Sequence, residues 1–291
     1  MAILIAAALA WAAWIPRADA RKGPSAELNL AVRPVPQPRA WWAEHHKRIN
    51  LEVKERGDAE LIFVGDSLTS LWRFNGRRTW RRYYAQRDAL NLGAAGDQIQ
   101  HTLWRLQNGN LQGLSPRLAV LMVGVNNIYQ PVKHVVSGLR LTVNYLRRRL
   151  PRTRLLVLGI LPFGERPGRQ RIKIKQVNRA LAAMADGRWI HFLDIGHLFV
   201  EPNGSLTPGL MTHDFLHLNP LGYELWAGAM EPKLVQLLGE DPASLRHWRI
   251  FGLHHGSPGH GGRAPVDADA AFRRALSPCR AATCPRGWRC Q

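Results

Sequence analysis

Leu61-Ile62-Phe63-Val64-Gly65-Asp66-Ser67-Leu68 decides the fold. Four large apolar residues in succession read as a buried strand, and Gly65-Asp66-Ser67 stops it in a turn that opens a helix. Working outward, four more short apolar runs follow: Ala89 to Leu92 before Gly93, Leu118 to Val123 before Gly124, Leu155 to Leu158 before Gly159, and Trp189 to Leu193. Between and after them lie helical patterns at roughly 99–107, 133–149, 170–185 and 219–238. Strands alternating with helices at this spacing predict an α/β fold: a three-layer αβα arrangement with a central parallel sheet of about five strands, flavodoxin-like in type. Such sheets bind ligands beyond the C-terminal ends of their strands. The polar residues of interest fall there.

Four short segments carry the chemistry. Ser67 sits just past the first strand, where a helix N-terminus stabilises negative charge. Taken alone, Gly-Asp-Ser reads equally as a helix cap. The second segment is Asn91-Leu92-Gly93-Ala94-Ala95-Gly96-Asp97, whose glycines let a backbone N–H approach a ligand, or simply make a turn. In the third, Gly124-Val125-Asn126-Asn127, the Asn126 amide is suited to a developing oxyanion and equally to a turn. The last, Asp214-Phe215-Leu216-His217, places an acid and an imidazole three residues apart, at one site or as a surface cap. Each signal is weak by itself. All four occur in order, each at a strand's C-terminal edge or in the last loop before the final helix.

The order Gly-Asp-Ser, Gly, Gly-x-Asn, Asp-x-x-His resembles the four blocks of the SGNH hydrolases, also called GDSL esterases, over roughly residues 58–238. Val64 to Ser67, Leu90 to Gly93, His101 to Asn108, Val123 to Asn127, Leu158 to Pro162 and Asp214 to Leu218 are similar in particular to the catalytic subunits of type I platelet-activating-factor acetylhydrolases. The resemblance implies Ser67 as nucleophile, His217 as general base and Asp214 as its orienting partner. It implies an oxyanion hole from the Ser67 and Gly96 backbone N–H groups and the Asn126 side chain, and an acyl pocket at Leu68, Val125 and Leu216. Val125 departs from that family, whose subunits carry Thr there. The implied chemistry is coherent: serine needs a neighbouring base, histidine serves near neutral pH, and an acid fixes the imidazole tautomer. It needs neither metal nor cofactor.

Composition fits one sizeable core or at most two small domains, since 46% of the 291 residues are hydrophobic. Residues 2–16 are uncharged and mostly apolar, short for a membrane span of roughly 20 residues. Ala18-Asp19-Ala20 follows as a small-x-small cleavage site. The expected organisation is a signal peptide at 1–20, an extended proline-bearing lead-in at 21–40, the hydrolase domain at 41–242 and a disordered basic tail at 243–291. Cys279, Cys284 and Cys290 all fall in that tail, so the predicted domain contains neither a thiol nucleophile nor a disulfide. The predicted location is periplasmic or secreted.

The formal charge of +19 comes with arginine clusters at 73–87, 147–154 and 166–179, read as solvated surface. No nucleic-acid-binding motif accompanies them, so no specific nucleic-acid partner is expected. Attraction to an anionic membrane surface is the alternative use of that charge. His45, His46, His254 and His255 lack ligand spacing and read as surface residues. The expected function is hydrolysis of a short-chain acyl or lipid acetyl ester. The rival readings are a carbohydrate O-acetyl esterase, for which no sugar-stacking aromatic pattern is visible, and a non-catalytic protein binding polyanions or membrane surfaces. The family resemblance also implies a homodimer.

Overall fold

The computed structural model describes residues 28–241 and contains one sheet of five parallel strands. In chain order the elements are α1 (Ala40–Glu55), β1 (Leu61–Gly65), the short α2 (Ser67–Ser70), α3 (Arg77–Tyr83), β2 (Ala89–Asn91), α4 (Ile99–Gln107), β3 (Leu118–Met122), α5 (Val132–Arg149), β4 (Arg154–Leu158), α6 (Arg169–Ala182), β5 (Ile190–Leu193) and α7 (Pro220–Leu238). The expected signal peptide, the first part of the lead-in and the tail with its cysteines lie outside the described residues. Residues 28–39 include a 3-10 turn at Leu30–Val32, whose Ala31 is buried against the core.

The strand order is β2-β1-β3-β4-β5. Both sheet faces are covered, which is why the strands read as unbroken apolar runs rather than alternating ones. Ile62, Val64, Ala119, Leu121, Leu155 and Val157 face a core shared with α1, α4, α5 and α6. Leu61, Phe63, Val120, Met122, Leu156 and Leu158 face the other core, under α3 and α7. Tryptophans fill that second layer: Trp72 packs on Tyr223 at 4.4 Å between ring centroids and on Trp226 at 5.1 Å. Such aromatic pairs add about 0.5–1.5 kcal/mol beyond the area they bury.

Two sequence expectations change. α1 buries Trp42, His46, Ile49 and Val53, an i, i+4, i+7, i+11 stripe. His46 is therefore a core residue, bonded to Asn50 and Asn110, and His45 is half-buried with its Nε2 at 2.9 Å from the Gly93 carbonyl oxygen. Burial pushes both imidazoles below the ordinary histidine range. The arginine clusters are likewise not uniformly solvated. Arg73 pairs with Glu52 at 2.7 Å, and Arg87 clamps Glu231 and Glu240, each at 2.5 Å, joining the segment after α3 to α7. Arg171 is buried. Long side chains reach partners far away in sequence, so a run of arginines reads as surface until the fold supplies those partners.

Candidate active site

The chain leaves β1 for β2 on one side and reaches β3 on the other, so the strand order reverses at β1. A reversal of this kind puts the usual ligand position of such sheets beyond the strand C-termini. Ser67 stands there as the first residue of α2, 7% exposed. Asp66 caps that turn by accepting from the Leu68 N–H at 3.1 Å, and Tyr223 of α7 donates its hydroxyl to the Leu68 carbonyl at 2.7 Å. Gly65 permits the close approach: a Cβ would stand 2.1 Å from Thr69 Oγ1 and 2.2 Å from the Met122 carbonyl oxygen. Burial pushes the Asp66 carboxyl up to about 7, with the Asp97 charge adding to the rise and the Leu68 N–H opposing it.

The loop before α7 brings an acid and a base to the same serine. His217 Nε2 lies 2.9 Å from Ser67 Oγ, and Asp214 Oδ2 lies 2.6 Å from His217 Nδ1. The other carboxylate oxygen of Asp214 accepts from Thr212 Oγ1 at 2.7 Å and from the Leu216 and His217 N–H groups, each at 3.0 Å. Partial burial works to raise the Asp214 carboxyl, but these bonds, led by that from His217, hold it well below the usual carboxylate range. The turn closes because Phe215 adopts a left-handed φ of 54°. That conformation is uncommon for a bulky side chain and costs about 1–3 kcal/mol. It is held by Thr212 N–H to His217 O at 2.7 Å and Gly164 N–H to Phe215 O at 2.8 Å. The strain sits between the two residues whose spacing it sets.

The segments after β2 and β3 meet beside Ser67. Gly96 has a φ of 70°, a left-handed conformation that suits glycine. Among the described residues, neither the Ser67 N–H nor the Gly96 N–H has an intramolecular acceptor. Asn126 donates one amide hydrogen to the Asp97 carbonyl at 2.8 Å, which fixes the side chain and leaves its second hydrogen for another acceptor. Gln98 in turn donates to the Asn126 carbonyl at 3.0 Å.

Sequence reading assigned no role to the support beneath these donors. Arg105 of α4, fully buried, pairs with Asp97 at 2.8 Å and donates to the carbonyls of Leu92 at 2.7 Å and Gly65 at 3.2 Å. Asp97 also accepts from Gln37 at 3.0 Å, Trp42 at 2.6 Å and Thr102 at 3.1 Å. One ion pair thus ties the ends of β1 and β2 to the Gly96 turn. A buried pair so fully bonded is strongly destabilising to break from one side only. The sequence signal was available: Asp97 and Arg105 are eight residues apart across the start of a helix.

The three expected acyl-pocket residues divide between the two cores. Leu68 is 2% exposed and packs with Trp72 and Tyr223, whereas Val125, 5% exposed, belongs to the opposite cluster, against which Leu216 packs. Most of the Leu68 and Val125 surface is already covered by protein. Among the described residues, no group of three or more His, Cys, Asp or Glu side chains is placed to hold a metal ion. No helix among them is long and apolar enough to cross a membrane.

The flavodoxin-like sheet, with a serine at its switch point, is the fold of the SGNH class. The chain belongs to the GDSL-like lipase/acylhydrolase family, whose model matches residues 63–225. It is 37% identical over 222 residues to the platelet-activating factor acetylhydrolase IB subunit alpha1 of Homo sapiens, covering 75% of this chain and 94% of that protein. It is 35% identical over 202 residues to the alpha2 subunit of Rattus norvegicus, covering 69% and 86%. Solved structures share the fold: an acylhydrolase-type protein from Bacteroides fragilis (TM-score 0.56, 20% identity, 69% of this chain and 100% of that one). A GDSL-like lipase from Bacteroides thetaiotaomicron does so too (0.53, 20%, 66% and 97%).

Proposed function

We propose that this chain is a serine esterase cleaving carboxylic esters of short acyl groups, lipid acetyl esters among them. The contact that carries the reading is the unbroken line from Asp214 Oδ2 to His217 Nδ1 at 2.6 Å and from His217 Nε2 to Ser67 Oγ at 2.9 Å. Ser67 Oγ attacks the ester carbonyl carbon while His217 Nε2 takes its proton. Asp214 keeps the remaining proton on Nδ1 and stabilises the imidazolium. The carbonyl oxygen becomes an oxyanion and accepts from the Ser67 N–H, the Gly96 N–H and the free Asn126 amide hydrogen. Donors of this kind are each worth about 10²–10³-fold. Collapse breaks the bond to the alcohol, which leaves with the proton from His217. Water, deprotonated by the same imidazole, then releases the acid from Ser67.

The acyl side is read from Leu68, Val125 and Leu216. Because Leu68 and Val125 are 2% and 5% exposed, they offer an acyl chain only a shallow apolar face. A panel of p-nitrophenyl esters from acetyl to palmitoyl, run beside acetylated sugars with Ser67→Ala as control, tests this. Acetyl to butyryl esters should be fastest, with a graded decline, since each methylene in a pocket is worth only about 1–3 kcal/mol. Faster palmitoyl turnover, or preference for the acetylated sugars, would contradict the substrate reading. The apolar run 2–16 with Ala18-Asp19-Ala20 supports a periplasmic or secreted location for this activity. The names of the relatives support a lipid ester as substrate. The +19 formal charge supports work at anionic membrane surfaces.

A further inference from the structure

A second cavity, of about 770 Å³, opens beyond the C-terminal ends of β4 and β5 beside α6, and none of Ser67, Asp214 and His217 lines it. Its volume lies within the roughly 300–1,000 Å³ typical of small-molecule sites. Ile160, Pro162, Pro167 and Val200 supply apolar walls. Along one side runs a single stripe of α6, Arg169, Ile172 and Lys175, spaced i, i+3, i+6. Ile172, 60% exposed, presents apolar surface between these two cations. Among the described residues, neither the Arg169 nor the Lys175 side chain has a carboxylate or other hydrogen-bond partner.

The electrostatics around the cavity are one-sided. α6 has no acid in its first turn but carries Arg169 and Arg171 there, where the helix dipole disfavours cations. Arg171, 8% exposed, donates only to backbone carbonyls: Phe163 at 3.0 Å, together with Gly164 and Gly204. The one carboxylate in the lining, Asp194, is occupied by Asn178 Nδ2 at 3.0 Å and the Gly196 N–H at 2.8 Å. Positive charge that its own helix disfavours is thus gathered beside an apolar hollow. Local rules broken in this way are characteristic of functional sites.

We propose that this cavity binds a single-chain anionic amphiphile of the fatty-acid type. The carboxylate is held by the Arg169 and Lys175 side chains reaching over the first two turns of α6, and the chain runs past Ile172 onto the Ile160–Pro162–Val200 wall.

Calorimetric titration of the full chain with dodecanoate, below its micelle concentration, tests the proposal without reference to hydrolysis. Three reference ligands accompany it: acetate, dodecanol and dodecyltrimethylammonium. Dodecanoate should bind saturably with one site per chain outside the ester site, and the three references should bind at least tenfold more weakly. Arg169→Glu combined with Lys175→Glu should raise Kd on the order of tenfold or more, and Val200→Trp should fill the hollow and abolish binding. Arg169→Gln with Lys175→Gln, milder and at exposed positions, should give an intermediate Kd. All variants should keep ester turnover, which separates this outcome from failure of the esterase reading. Unsaturable binding, equal binding of the cationic amphiphile, or an unchanged Kd in both Val200→Trp and the charge-reversed protein would overturn the proposal.

Discussion

Replacing His217 with alanine should lower kcat on a short acyl ester by about 10⁵–10⁶-fold, the scale found when a triad base is removed. Melting should hardly change. The imidazole is partly open to solvent and belongs to neither apolar core, so its removal takes no core packing away. The Asp214 bonds to Thr212 and to the Leu216 and His217 N–H groups all survive the substitution. A residue that merely completed a turn would show the reverse: a lower Tm and near-normal hydrolysis. Ser67→Ala should cost about as much, and combining it with His217→Ala should add almost nothing. In the proposed mechanism the two side chains act as one nucleophile, and the residual rate comes from the oxyanion donors and substrate binding. Near-wild-type turnover by folded His217→Ala protein would mean that another base serves Ser67. Kinetics and thermal melts on the same preparations decide the matter.

The second large effect is expected at Asp214. In Asp214→Asn an oxygen remains to accept from Thr212, Leu216 and His217, so the loop keeps its shape. The change falls on the oxygen 2.6 Å from His217 Nδ1, which becomes an N–H₂ group. That group requires Nδ1 to accept, which puts the ring proton on Nε2, facing Ser67 Oγ, and the base can no longer take the serine proton. The expected loss is on the order of 10⁴-fold in kcat, with KM little altered. Asp214→Ala should lose comparable activity and stability as well, because the bonds to Thr212, Leu216 and His217 go with it. A kcat loss below tenfold in Asp214→Asn would assign the carboxylate to the turn alone.

These residues were visible in the chain because each lies where pattern already carries information. A buried strand stopped by Gly65 announces the position of Ser67. The stops at Gly93 and Gly124 announce the next two segments, and Asp214 and His217 are close in sequence. Strand runs were legible since both faces of the sheet are covered; each of the five strands differs from its expected limits by one residue, within the usual fraying. What escaped was set by distant partners. α1 is polar over much of its surface, and its inner stripe includes His46, which reads as surface until Asn110 of another segment is placed against it. Arg105 looks like any helix arginine until the carbonyls of Gly65 and Leu92 converge on it. Arg87 likewise acquires its meaning from Glu231 and Glu240, more than a hundred residues downstream. Phe215 gives no hint of its left-handed backbone, because the tertiary contacts that stabilise it include Gly164.

The most direct test of the central claim is covalent. A p-nitrophenyl alkylphosphonate mimics the tetrahedral intermediate and traps an activated serine, releasing p-nitrophenol as the phosphorus–oxygen bond forms. Peptide mass spectrometry locates the adduct. The account predicts one p-nitrophenol released per chain, the label on Ser67, activity falling in proportion to labelling, and no label in Ser67→Ala. Complete inactivation with the label on another residue, or ester turnover undiminished when Ser67 is fully labelled, would contradict it.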